Sequence, residues 1–122
     1  MDSPLDTFRS FIINNLRDKQ IEHFKGLLDG KWRAKKVQEL QSQLSKFSRE
    51  DKKVLANLVD NMLTATMHDL LSAIQENNNL DNTVKVIVDG QNITDVSDGL
   101  QGEIFGDDGW IERFSRYKSI LD

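Results

Sequence analysis

The residues best equipped for chemistry gather late in the chain, where Asp89, Asp95, Asp98, Asp107 and Asp108 follow one another in a single stretch. Carboxylate oxygens are the ligands of hard divalent cations, so a calcium loop is the first chemistry to test. Such a loop needs a glycine at its sixth position and a glutamate at its twelfth. Counted from Asp89 the sixth residue is Thr94; counted from Asp95 it is Leu100, and the twelfth is Gly106. Neither register fits. A looser cation site built from Asp95, Asp98, Asp107 and Asp108 remains as an alternative, while helix caps and solvated turns account for these aspartates more simply. No metal ligand set and no cofactor is assigned.

Other catalytic patterns find little to stand on. Cysteine is absent, which removes disulfides, thiolate zinc sites and cysteine nucleophiles. His68 shares a helical stripe with Asp60 and Thr64 and adjoins Asp69, the makings of an oriented general base. Asn61, Ser72 and Gln75 nearby suit a wetted face better. His23, between Glu22 and Lys25, reads as a surface residue. Gly99, Gly102, Gly106 and Gly109 match neither phosphate-loop spacing, and no lysine follows them. The serines lie at caps and exposed helix positions, and no nucleophile elbow is present.

Charge carries more information. Residues 1–53 hold 12 Lys or Arg against 8 Asp or Glu, a net +4, whereas residues 54–122 hold 4 against 12, a net −8. Two explanations compete: the halves neutralise each other within the fold, or the acidic half faces a basic partner or a cation. The only basic cluster is Lys25, Lys31, Arg33, Lys35 and Lys36 with Trp32 among them, a pairing of cation and aromatic that can grip a nucleic-acid backbone. The overall charge of −4 has the wrong sign for strong non-specific binding of that kind.

These residues must be positioned by helices. Ser3 and Pro4 open a first helix, with Leu5, Phe8, Ile12 and Leu16 at helical spacing to about Arg17. The next apolar set, Ile21, Phe24, Leu27 and Leu28, is one residue out of phase, so a new helix capped by Asp18 is expected. Gly26 weakens that second helix, since glycine costs about 1 kcal/mol against alanine in a helix interior. A third helix carries Val37, Leu40, Leu44 and Phe47. The fourth and longest runs from about Arg49 to Glu76, with an apolar band wide enough to predict neighbours on two sides. Val84, Val86 and Val88 then alternate with Lys85 and Ile87, Asp89-Gly90-Gln91-Asn92 turns the chain, and Ile93 to Val96 is expected to return as a second strand. A glycine-rich segment with a helical fragment near Leu100 to Phe105 precedes a last helix, capped by Asp107 or Asp108 and burying Trp110, Ile111, Phe114, Tyr117 and Leu121.

The expected fold is therefore mainly α: a single-domain bundle of about five helices with one small β-hairpin, α+β being the alternative. Residues 1–122 form one domain, with a helical core over about 4–77, a hairpin over about 83–96, and a glycine-rich segment and helix over about 97–120. The first nine residues hold Asp2, Pro4 and Asp6 and no basic-then-apolar run, so no secretory signal is expected there and the cytoplasm is the expected compartment. No apolar run approaches the length of a membrane span. The expected function is a non-catalytic protein-interaction module, a regulator, adaptor or inhibitor that presents its acidic C-terminal half to a basic partner. Its expected binding residues are Asp98, Glu103, Asp107, Asp108, Trp110 and Arg113. Trp110 has a second role open to it, plugging the core together with Phe114. A homodimer through the hairpin edge or the fourth helix is expected too. The alternatives are a small enzyme with an acidic, divalent-cation-dependent pocket and a nucleic-acid binder acting through Lys31 to Lys36.

Overall fold

Ser3 starts the first helix as its sequence position requires: its Oγ accepts the Asp6 N–H at 3.1 Å, and Pro4 fills the first helical position. In this computed structural model, which describes residues 3–80, 83–97, 99–104 and 108–121 (the backbone alone at 78–80 and 101), that helix is α1, Pro4–Ile12. The phase slip expected to break the chain near Asp18 does not break it. Instead Ile13–Asp18 widens into a π-helical segment that leads straight into α2, Lys19–Leu28. A π turn accommodates one extra residue, so Ile21, Phe24 and Leu28 return to the buried face shared by Phe8 and Ile12. Asp18 accordingly caps nothing, and its carboxylate is wholly buried.

Gly26 has a packing reason. The Trp32 indole lies over it so closely that a Cβ there would fall 2.3 Å from the ring. Trp32 Nε1–H donates to the His23 carbonyl at 2.8 Å, and its backbone N–H and C=O are both held by the Gln41 amide. These bonds tie the irregular stretch after Gly30 to α3, Gln38–Leu44, which is entered by a 3₁₀ turn at Lys35–Val37. The third helix is thus shorter than its apolar spacing predicts.

Helix α4, Arg49–Leu80, is 32 residues long and opens on a reciprocal cap, in which Ser48 Oγ accepts from Asp51 N–H and Asp51 Oδ2 accepts from Ser48 N–H. Its inner face joins two core clusters. Met67, Leu71 and Ile74 pack with Phe8, Ile12 and Ile13 of the first helix, together with Ile93, Leu100, Ile104 and Trp110. Ala56, nearer the start of α4, packs with Ile21, Phe24, Leu28, Leu44 and Ile120. The two long helical stretches therefore run antiparallel. Among the described residues no neighbour covers a second side of α4: Val54, Leu58 and Met62 are 67%, 55% and 57% exposed.

The hairpin is smaller than its valines suggest. Strands β1, Ile87–Val88, and β2, Gln91–Asn92, pair antiparallel around Asp89 and Gly90, both at positive φ as a tight two-residue turn requires. Ile93–Val96, expected as the return strand, is instead a helical turn, α5, because Asn92 caps it by accepting the Thr94 N–H. A 3₁₀ turn follows at Leu100–Glu103, then α6 at Trp110–Phe114, which begins after Gly109 rather than on an aspartate cap. The last helix ends there, and residues 115–121 cross α2 and α4 as an irregular strap that seats Ile120 in the lower core. The molecule is mainly helical with one small antiparallel pair of strands. Among the described residues no helix is long and apolar enough to cross a membrane.

Candidate functional site

Two ionic clusters fasten the late part of the chain to the first helix. In the upper one Arg9 bridges two carboxylates, pairing with Asp6 at 2.7 Å and with Glu103 across the fold. Glu103 also accepts from Ser97 Oγ at 2.8 Å and from Trp110 Nε1–H at 3.4 Å. Arg113 closes the set on Asp6 at 3.1 Å, and the Arg9 guanidinium lies 5.8 Å from the centre of the Trp110 ring. The hydrogen bond from Arg9 and the nearby charge of Arg113 hold the Asp6 carboxyl below the ordinary carboxylate range, against the opposing effect of burial. Two acids and two guanidiniums balance, so the cluster offers neither a spare base nor a spare charge.

The lower cluster is centred on the π segment. Arg17, 2% exposed, gives Nη1 to Asp60 at 2.7 Å and Nη2 to the Tyr117 carbonyl at 2.9 Å. Asp18, fully buried, accepts the Ser115 hydroxyl at 2.6 Å and the Arg116 N–H at 3.0 Å. Arg116 extends the set to Glu22 at 2.5 Å. Tyr117 O–H reaches the same Glu22 at 3.3 Å, and desolvation with the Glu22 charge pushes the phenol above its usual range. Every charge buried by the π segment is thereby paired, as the cost of desolvation demands. Sequence reasoning gives Asp18 only as a helix cap and Arg17 only as a helix end; the phase slip is the signal that something has to be held there.

The six binding residues expected from the sequence separate. Glu103 and Arg113 belong to the upper ionic cluster, and Trp110 is 1% exposed, a core residue in edge-to-face contact with Phe8. Asp108 is exposed. Asp98 and Asp107 lie outside the described residues. Among the described residues no three His, Asp or Glu side chains come together as a metal-binding group, and the looser cation site proposed above includes the two undescribed aspartates. His68 lies 3.2 Å from Asp69 on an exposed face, while Asp60 is turned away to Arg17. Lys31, Arg33, Lys35 and Lys36 are exposed, and the Trp32 indole packs on Gly26 with the Lys31 Nζ 5.2 Å from its ring centre.

What remains outward is charge and apolar surface. Of the late carboxylates among the described residues, Asp60 and Glu103 are taken by Arg17 and Arg9. Asp69, Glu76, Asp89, Asp95, Asp108 and Glu112 are exposed and make no ion pair with a lysine or arginine among the described residues. Three of the four late cations are committed elsewhere: Arg113 to Asp6, Arg116 to Asp18 and Glu22, and Lys118 Nζ to the carbonyls of Ile111, Glu112 and Ser115; Lys85 is exposed and makes no ion pair among the described residues. A groove of about 450 Å³ between α1 and the hairpin, lined by Phe8, Phe11, Val86 and Ile87, is apolar and ends at Asp89. No protein-family model, curated protein or solved structure matches the chain.

Proposed function

We propose that this chain is a non-catalytic interaction module whose acidic surface receives a basic protein partner. The observation that carries the reading is the set of six exposed late carboxylates without a lysine or arginine partner among the described residues. Internal neutralisation would have used them. Instead the ionic contacts between the halves match early acids with late cations in three pairs and the reverse in two, and leave the acidic excess outside. A one-signed surface accelerates encounter with an opposite charge and makes the association salt-sensitive.

Capture from the cell of origin tests this. The wild-type chain is expected to retain a basic protein at low salt and release it as salt rises. A variant with Asp69, Asp89, Asp95 and Asp108 changed to Asn, and Glu76 and Glu112 to Gln, is expected to lose that protein. Equal capture by both forms sinks the reading.

A further inference from the structure

The outer face of α4 is unusual for a helix whose inner face already supplies both cores. Val54, Leu58 and Met62 follow one another at four-residue steps and stand more than half exposed, with Ala65 continuing the row. Leu55, Val59 and Leu63 flank it, half-buried against the lower core. Exposed apolar side chains scattered singly need no explanation, whereas a contiguous row on one face marks a contact surface.

Charge decides what lies on it. Beyond Lys53 the helix has no lysine or arginine at all. Asp51 stands at one end of the row and Asp69 and Glu76 at the other, all exposed. The cations of the first turns face elsewhere, since Arg49, Lys52 and Lys53 line a cleft with Leu28, Asp29 and Leu121 on the side of α2 and the strap. A second copy of this chain does not fit. Antiparallel pairing that sets Leu58 against Met62 sets Asp51 against Asp69, and parallel pairing sets each carboxylate against itself, with like charges opposed in either case.

We propose that the outer face of α4 seats an amphipathic helix of a partner protein, with an apolar row for Val54, Leu58, Met62 and Ala65 and a lysine or arginine at each end. Asp51 and Asp69 are separated by about 27 Å along the axis at the α-helical rise, so the basic ends of the partner helix are five turns apart. The apolar row supplies affinity and the carboxylates supply orientation and selectivity. This rests on the basic-partner reading above and gives it a location.

The probe is a labelled helical peptide with leucines at three- and four-residue steps and lysines at both ends, titrated against the full chain by fluorescence anisotropy. Its control carries glutamates in place of the lysines. We expect Leu58→Gln with Met62→Gln to weaken binding by about tenfold or more, as central contact residues do. Asp69→Asn with Glu76→Gln should weaken it less and flatten its salt dependence. Asp89→Asn, Asp95→Asn and Asp108→Asn with Glu112→Gln should stay within about twofold of wild type, because rim charges act mainly on rate. All four altered positions in the first two variants are exposed, and circular dichroism verifies that the helices persist. Equal binding of the glutamate-ended control overturns the proposal, as does indifference to the Leu58 and Met62 changes. If that indifference accompanies loss in the variant altered at 89, 95, 108 and 112, the basic-partner reading stands and the α4 seat falls. A sedimenting dimer dispersed by Leu58→Gln with Met62→Gln would make a second copy the occupant and end the proposal.

Discussion

The Asp18 carboxylate accepts the Ser115 hydroxyl at 2.6 Å, joining residues 97 positions apart at a point sealed from water. The same hydroxyl oxygen accepts the Tyr117 N–H at 3.0 Å, so one side chain holds the strap to the first helix and fixes its direction. Ser115→Ala removes the bond and leaves a buried carboxylate short of a donor. We expect a loss of about 1–3 kcal/mol, measured by urea unfolding. Ser115→Thr, which keeps the hydroxyl, should lose less.

The two arginines beside Asp18 differ in burial and should differ in effect. Arg17→Met takes the cation from Asp60 and a donor from the Tyr117 carbonyl, and is expected to cost about 1–3 kcal/mol in the same unfolding experiment. Arg116 is 61% exposed, and Arg116→Met should cost under about 1 kcal/mol. Equal losses would contradict the greater structural weight of the buried Arg17.

Gly26→Ala would improve helix propensity if its surroundings were open. Here the new methyl meets the Trp32 indole, so the change should destabilise by about 1–3 kcal/mol and shift tryptophan fluorescence as the ring is displaced. With Trp32→Ala already present, the same Gly26→Ala change should be neutral or stabilising.

Stability should fall at both ends of the pH scale for separate reasons. Asp6 binds its proton less readily in the fold than when unfolded, so its contribution is complete above the ordinary carboxylate range and is lost as pH falls through the lowered folded value. Asp6→Asn should blunt the acid limb of a stability profile. Tyr117 holds its proton more tightly in the fold; its contribution is complete below the ordinary phenol range and disappears as pH rises through the raised folded value. Tyr117 is the one tyrosine of the chain, so tyrosinate absorbance should titrate later in the native protein than in urea.

Helix existence was legible wherever apolar residues kept helical spacing and a cap stood ahead of them, as at Ser3 and Ser48. Departures arose where a specific bond, local or long-range, outweighed the apolar pattern. The Val84-Val86-Val88 alternation predicts a full hairpin, but Asn92 caps a helical turn and ends the strand. Tyr117 and Leu121 continue a helical pattern that the strap abandons for its bonds to Arg17 and Asp18. The site residues divided on the same principle. Glu103, Trp110 and Arg113 did mark a place where chemistry converges, yet their partners Asp6 and Arg9 lie far away in sequence, and only those partners reveal a closed ionic set. The breadth of the α4 band was visible from the start; that one side of it stays uncovered was not, because periodicity gives the width of an apolar face and says nothing of how many neighbours arrive.

The widened turn at Ile13–Asp18 has a last consequence for tolerance to change. Removing any one residue there would let an unbroken α-helix run from Pro4 to Leu28, a locally better arrangement. It would also keep Ile21 and Phe24 on the face shared by Phe8 and Ile12, because the widened turn already absorbs the phase of the one extra residue. Local preference and global fit oppose each other at this one point, and the fold settles the conflict in favour of the whole. Loss of one residue there relieves the conflict, whereas a second inserted residue would turn Ile21 and Phe24 about 100° off the face of Ile12.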